Sequence, residues 1–241
     1  MPEVRAVVRW NDPAEPVLLA VAHGTRDPAG PPAVRALLDR IRALRPWLRV
    51  AEAYAELAAP TLEDAIAVTA GPVVVVPLVL AGGYHARDDI PGRVAGRRDA
   101  VVARPLGPHA LLAAALADRL GAARRADAVV LGAAGSARPA GVIDVRLAAR
   151  LLARRLRRPV PYGFVAAGRP ALPDVVAGLR RSGARRVAVA SYLLAPGLFH
   201  ERMLRSGADE VSPPIGAHDA AAALILRRFD EAAQRAGALA G

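Results

Sequence analysis

The chain contains no cysteine and no lysine; all 33 of its Lys+Arg residues are arginine. Without cysteine there are no disulfides, thiolate metal ligands, iron–sulfur clusters or cysteine nucleophiles. Without lysine there is no Walker A lysine, no pyridoxal Schiff base and no lysine-linked biotin or lipoate, so P-loop ATP hydrolysis is not expected. Aromatic residues make up 4% of the chain, too few to interleave with the arginines as a nucleic-acid surface would need. The net charge of +11 therefore reads as a solvated basic surface, or as a field for a polyanionic small molecule. No apolar run approaches the ~18–20 uncharged residues of a membrane span. The first sixteen residues carry charges and prolines where a signal peptide would be apolar. A cytoplasmic protein with no membrane or nucleic-acid partner is expected.

What is present is a chain of 241 residues, 54% of them hydrophobic, enough for one large domain or two small ones. The organising stretch is Val73 to Pro91, where an apolar, β-branched run stops at Gly82-Gly83 and delivers His85. Such a run reads as a strand covered on both faces, as in a parallel α/β sheet. Ligands of these sheets collect at the carboxyl ends of the strands. The run Val17 to Ala22 has the same construction and ends in His23-Gly24-Thr25-Arg26.

Between these runs, Pro31 to Arg45 has helical periodicity, with Val34, Leu37, Leu38, Ile41 and Leu44 on one stripe. Leu48 to Leu57 reads as a second strand ending near Glu56, and Thr61 to Ala70 as a helix with Thr61 as its N-cap. The strand ending at Ala81 is third. Ala100 to Leu106 is the fourth strand and Pro108 to Leu120 the fourth helix. Strands alternating with helices argue for parallel βαβ units.

Beyond a joint at Gly121 to Asp127 the pattern begins again. Ala134 falls 111 positions after His23, Pro170 falls 110 after Pro60, His200 falls 115 after His85, and Pro214 to His218 echoes Pro105 to His109 at an offset of 109. The expected architecture is α/β, with two homologous domains over residues 1–122 and 123–241. Each is a mainly parallel sheet with helices on both faces, and a cleft lies between them. The second copy carries Ala134 at the position of His23 and, by proline spacing, Ala166 at that of Glu56.

His23, Glu56 and His85 would converge at three strand ends of the first domain. Two imidazoles and a carboxylate suit a divalent first-row metal with positions left open for exchange; the alternative is that each histidine merely caps a strand. His109 and His218 recur at helix starts in both halves, which fits a structural role. His200 matches His85 by position but has no partners in its own domain, so substrate contact is its functional reading. Gly24, Thr25 and Arg26, like Gly135 and Ser136, open loops ahead of helices, where backbone N–H groups and a hydroxyl can meet an anion. Arg26, Arg87, Arg93, Arg97 and Arg98 lie near the expected rim, where they either bind substrate carboxylates or pair with Asp27, Asp88 and Asp89.

The segments Ala22-His23-Gly24-Thr25-Arg26-Asp27-Pro28, Ala55-Glu56-Leu57 with Pro60, and Pro77-Leu78 through Gly83-Tyr84-His85-Ala86-Arg87-Asp88-Asp89-Ile90-Pro91 resemble the class II, CbiX/SirB-type sirohydrochlorin chelatases. The similarity covers nearly the whole chain, including Tyr192 to His200. It implies a lyase of sirohaem or cobalamin biosynthesis that needs no ATP and no resident cofactor. Fe2+ or Co2+ is then the substrate metal, handled by His23, His85 and Glu56. The tetrapyrrole would lie against Gly24, Thr25, Arg26, Gly83, Tyr84, Arg87 and His200, its many carboxylates meeting part of the arginine excess. Iron is preferred to cobalt because the composition suggests a high-GC bacterium, where an ATP-dependent cobalt route is common. A chain that supplies both cleft walls is expected to act as a monomer. Two other readings stand beside this one. A histidine phosphatase would use His23-Gly24-Thr25-Arg26 but lacks arginine at Ala22; a metal or tetrapyrrole carrier would bind without turnover.

Overall fold

The computed structural model describes residues 15–83 and 88–238. It contains two four-stranded, wholly parallel sheets. The first consists of β1 (Val17–Ala22), β2 (Val50–Tyr54), β3 (Val73–Pro77) and β4 (Ala100–Val102) in the order β2-β1-β3-β4. The second repeats this with β5 (Ala128–Gly135), β6 (Tyr162–Ala167), β7 (Val187–Tyr192) and β8 (Glu210–Val211) in the order β6-β5-β7-β8. Every residue of β1 and β3 is buried, as central strands covered on both faces require. Together the sheets form a two-domain α/β fold.

In the first half, helix α1 (Gly30–Leu44) covers the inner face, while α2 (Leu62–Val68) and α3 (Ile90–Val94) cover the outer one. Pro31 and Pro32 start α1, where a missing N–H costs nothing. Val34, Leu37, Leu38 and Ile41 are buried as the periodicity predicts, but Leu44, at the last position, is 53% exposed because the helix outruns the sheet. Thr61 caps α2, its hydroxyl accepting from Asp64 N–H at 3.2 Å. The strands are shorter than their apolar runs: β2 ends at Tyr54, β3 at Pro77 and β4 at Val102. The residues that follow each strand end build the loops at the carboxyl edge.

The fourth helix of each half crosses to the other sheet. Helix α4 (Ala110–Leu120) packs on β7 and on α5 (Pro139–Leu156), whereas α8 (Asp219–Ala238) packs on β3, β4 and α1. One continuous core therefore runs through both halves, with Leu18 and Val74 of the first sheet and Val129 and Leu131 of the second among its members. Both crossing helices begin at a histidine: His109 Nδ1 accepts from Leu111 N–H and His218 Nδ1 from Ala220 N–H, each at 3.1 Å. Burial and the nearby Arg228 and Arg227 hold the His109 pKa below its ordinary value, which favours the neutral ring whose nitrogen can accept. Their expected structural role is thus met.

Arg228 of α8 is 6% exposed and donates to the Pro105 and Leu106 carbonyls of the first half. Glu231 bridges Arg104, Arg227 and Arg228, and these contacts pull its pKa down to about 2. A depressed carboxylate stabilises the fold above its unfolded pKa of about 4.3 and loses that contribution as the pH falls toward the folded value. Glu231→Gln is expected to be less stable than the parent at pH 7, with the gap closing between about pH 4 and 2. Denaturant titrations across that range would show it; a gap that stays constant with pH would show that the charge on Glu231 does not contribute.

Candidate functional site

The order β2-β1-β3-β4 puts a topological switch point between β1 and β3, because α1 leaves β1 on one face and α2 returns to β3 over the other. The loops after β1 and β3 part there, and so do the loops after β5 and β7 in the second sheet. The four loops enclose a cleft of about 900 Å3 between the domains, toward the upper end of the ~300–1,000 Å3 typical of small-molecule sites. His23, Gly24, Thr25 and Arg26 line it from β1, Gly83 from β3, Ala134 and Ser136 from β5, and His200 from α7 (Leu198–Leu204).

His23 stands one residue beyond β1 and is partly buried. Its carbonyl accepts from Glu56 N–H at 2.9 Å, and the Ala22 carbonyl accepts from Ala55 N–H at 2.8 Å, so the first two loops continue the strand pairing past both ends. Gly24 makes this approach possible. It lies at φ +94°, and a Cβ there would sit 1.8 Å from the Glu56 carbonyl oxygen, so only glycine fits. The structure thus brings His23 and Glu56 to one strand edge, with the Glu56 side chain exposed. Tyr84, His85 and Arg87 lie outside the described residues. Among the described residues, no group of three or more His, Cys, Asp or Glu is placed to hold a metal.

The second half repeats the backbone without the chemistry. Gly135, at φ +118°, would place a Cβ 1.9 Å from the Ala167 carbonyl oxygen, and Ser136 accepts from Arg138 N–H as Thr25 accepts from Asp27 N–H, each at 3.1 Å. By this contact the counterpart of Glu56 is Ala167 and not Ala166. A register shift between Ala133 and Gly135 inserts one residue into β6, which proline spacing alone could not reveal. His23 faces Ala134 across the repeat, and Glu56 also has an alanine opposite.

The remaining expectations divide. His200 is partly buried on the cleft wall, and its Nε2 donates to the Ser212 carbonyl oxygen at 3.1 Å. Arg26 is exposed on the cleft lining. Arg93 and Arg97 are committed to the fold: Arg93 pairs with Glu63 at 2.6 Å and donates to the Ala55 carbonyl, while Arg97 pairs with Asp99 at 2.8 Å and donates to the Gly71 carbonyl. Neither lines the cleft.

Several contacts across the cleft were invisible in the sequence. The buried Tyr192 hydroxyl donates to the Leu80 carbonyl at 2.7 Å, and burial raises its pKa above the usual phenol value. Asp144 of α5 accepts from Gly82 N–H at 2.7 Å, and Arg138 pairs with Asp88 at 2.7 Å. The second domain therefore grips the first on both sides of residues 84–87. No periodicity or motif marks these partners.

A model of the CbiX family matches the chain twice, over residues 17–123 and 128–232. A curated sirohydrochlorin cobaltochelatase of Methanosarcina acetivorans is 37% identical over 79 residues, which cover 31% of this chain and 61% of that relative. The match thus spans about three fifths of the length of the curated relative. SirB from Bacillus subtilis, solved with Fe3+, superposes with a TM-score of 0.78 at 24% identity over 93% of this chain and 98% of that one. SirB from Bacillus subtilis subspecies spizizenii, solved with cobalt, gives 0.74 at 24% identity over 92% and 97% of the two chains. These likenesses show a shared fold. With two successive matches to one family model, each over one of its two sheets, the chain belongs to the CbiX family.

Proposed function

We propose that this chain inserts Fe2+ or Co2+ into sirohydrochlorin without ATP. The observation that carries the reading is the one-sidedness of the cleft: two walls of the same backbone, with the His23 imidazole on one and Ala134 at the equivalent place on the other, while Glu56 stands exposed at the adjacent strand edge where the second half has Ala167. Insertion exchanges two pyrrole N–H protons for one dication. The protein must therefore hold the cation weakly, receive protons and keep the ring in place. The N-terminal domain, residues 1–122, handles the metal and the protons; residues 123–241 supply the opposing wall.

An imidazole with an ordinary pKa of about 6.5 is a metal ligand when neutral and a proton acceptor near neutral pH. His23 has that position on the cleft wall, with the Glu56 loop beside it. His85, which follows β3 in the sequence, is the second imidazole of the proposal. On the other wall Ala134 leaves room for the ring face. Arg26 and the His200 ring stand where peripheral carboxylates would reach. The donor set of nitrogen and oxygen takes iron or cobalt, and supply in the cell then selects between them. The relatives include one called a cobaltochelatase and one solved with Fe3+, in keeping with either metal.

The test is anaerobic turnover, following the absorption spectrum of sirohydrochlorin with Fe2+ or Co2+. Multiple turnovers above the uncatalysed rate are expected with at least one metal. Stoichiometric binding without turnover would make the chain a carrier, and no binding would end the proposal.

A further inference from the structure

Leu57 stands immediately beyond Glu56 at φ +61°, a left-handed conformation that a branched side chain rarely adopts. The matching turn of the second half carries glycine: Gly168, at φ +105° and with the Phe164 ring 3.0 Å from where a Cβ would lie, follows Ala167 as Leu57 follows Glu56. Core packing does not hold Leu57 there, because it is 50% exposed and belongs to no core cluster. Its side chain lines the cleft instead. An exposed leucine alone means little; one held at positive φ, on a cleft wall, where the repeat uses glycine, calls for a ligand.

The opposite wall supplies a counterpart. Leu198, 54% exposed, lines the same cleft from the first turn of α7. It follows Gly197, where a Cβ would lie 2.9 Å from Thr25 Oγ1, so this loop is seated against the first domain. Two exposed apolar side chains from different domains thus face one cleft, with the charged Arg26 also on its lining. That pattern suits a flat conjugated ring whose faces are apolar and whose edge is anionic.

We propose that Leu57 is a specificity-determining contact for the face of the macrocycle, seating the ring over His23, with Leu198 as its partner from the other side. This rests on the chelatase reading above. Leu57→Gly and Leu57→Asn both suit the left-handed turn and remove the apolar contact. Both are expected to keep or raise Tm while KM for sirohydrochlorin rises about tenfold. The affinity for the metal-free macrocycle, read by fluorescence quenching, falls in parallel, and Leu57→Met restores most of it. If the wild type metallates sirohydrochlorin and both variants keep its KM, the Leu57 contact is refuted while the chelatase reading stands. A fall in Tm in both variants would assign the side chain to loop stability and also refute the contact. If the wild type neither binds nor metallates sirohydrochlorin, the chelatase reading fails and the contact with it.

Discussion

His23→Ala is expected to lose metal insertion by two orders of magnitude or more while leaving the fold and the cleft intact. General acid–base assistance alone is worth ~10²–10⁴ in rate, and the same imidazole is the proposed metal ligand on the wall of the cleft. The chain carries its own control for folding. In the second half Ala134 occupies the equivalent position, and β5 still pairs with β6 at Ala133 and Gly135 on either side of it and with β7 up to Ala133. A helix or strand lost on truncation is therefore not the expected cause of inactivity. Tm should move by no more than about 2 °C, since a partly exposed side chain in a loop contributes little packing. Binding of metal-free sirohydrochlorin should persist within a few fold. Turnover of His23→Ala at the wild-type rate would remove the N-terminal domain from the chemistry.

Gly24→Ala should cost both stability and activity, and its counterpart Gly135→Ala separates the two. At Gly24 the added methyl meets the Glu56 carbonyl oxygen at 1.8 Å, and at Gly135 it meets the Ala167 carbonyl oxygen at 1.9 Å. In both cases the obstacle is backbone, so no side-chain rotation relieves it. Strain at positive φ together with overpacking amounts to about 2–4 kcal/mol, or a fall in Tm of roughly 5–15 °C for a chain of this size. The two variants should thus unfold at similar temperatures. Their chemistry should differ, because only the first displaces the loop carrying Glu56 away from His23. Gly24→Ala is expected to lose at least tenfold more turnover than Gly135→Ala, since a shift of about 1 Å in a catalytic group can cost ~100-fold. Equal turnover in the two would mean that the spacing of His23 and Glu56 is unimportant.

The parallel strands and the repeat were readable because they rest on local patterns. Apolar runs that stop ahead of a glycine and a histidine give β1 and β3, and the nearly constant offset gives the second sheet. The N-cap at Thr61 and the structural histidines at 109 and 218 followed from position alone. What the chain did not disclose depends on contacts between distant segments. The extra residue in β6 moved the partner of Glu56 from Ala166 to Ala167, since a bulge changes register without changing composition. The rim arginines could not be sorted by sequence, because Arg93 finds Glu63 and Arg97 finds the Gly71 carbonyl only once distant segments are assembled. Leu57 was hidden for another reason: a leucine gives no sign of a left-handed backbone until the glycine at the matching place is recognised.

The crossing of α4 and α8 between the sheets has a mechanical meaning. The chain passes from one domain to the other before α4 and again before α8, and at each passage a histidine side chain locks the first turn of the helix that follows. Arg119 donates to the Ile215 carbonyl next to the second passage at 2.7 Å, and Arg228 to the Pro105 carbonyl next to the first at 2.9 Å, so each crossing helix also grips the other crossing. Two tethers joined in this way define an axle. Any rocking of the domains that widens or narrows the cleft has to turn about the line through them, while twisting and sliding are resisted at both bearings.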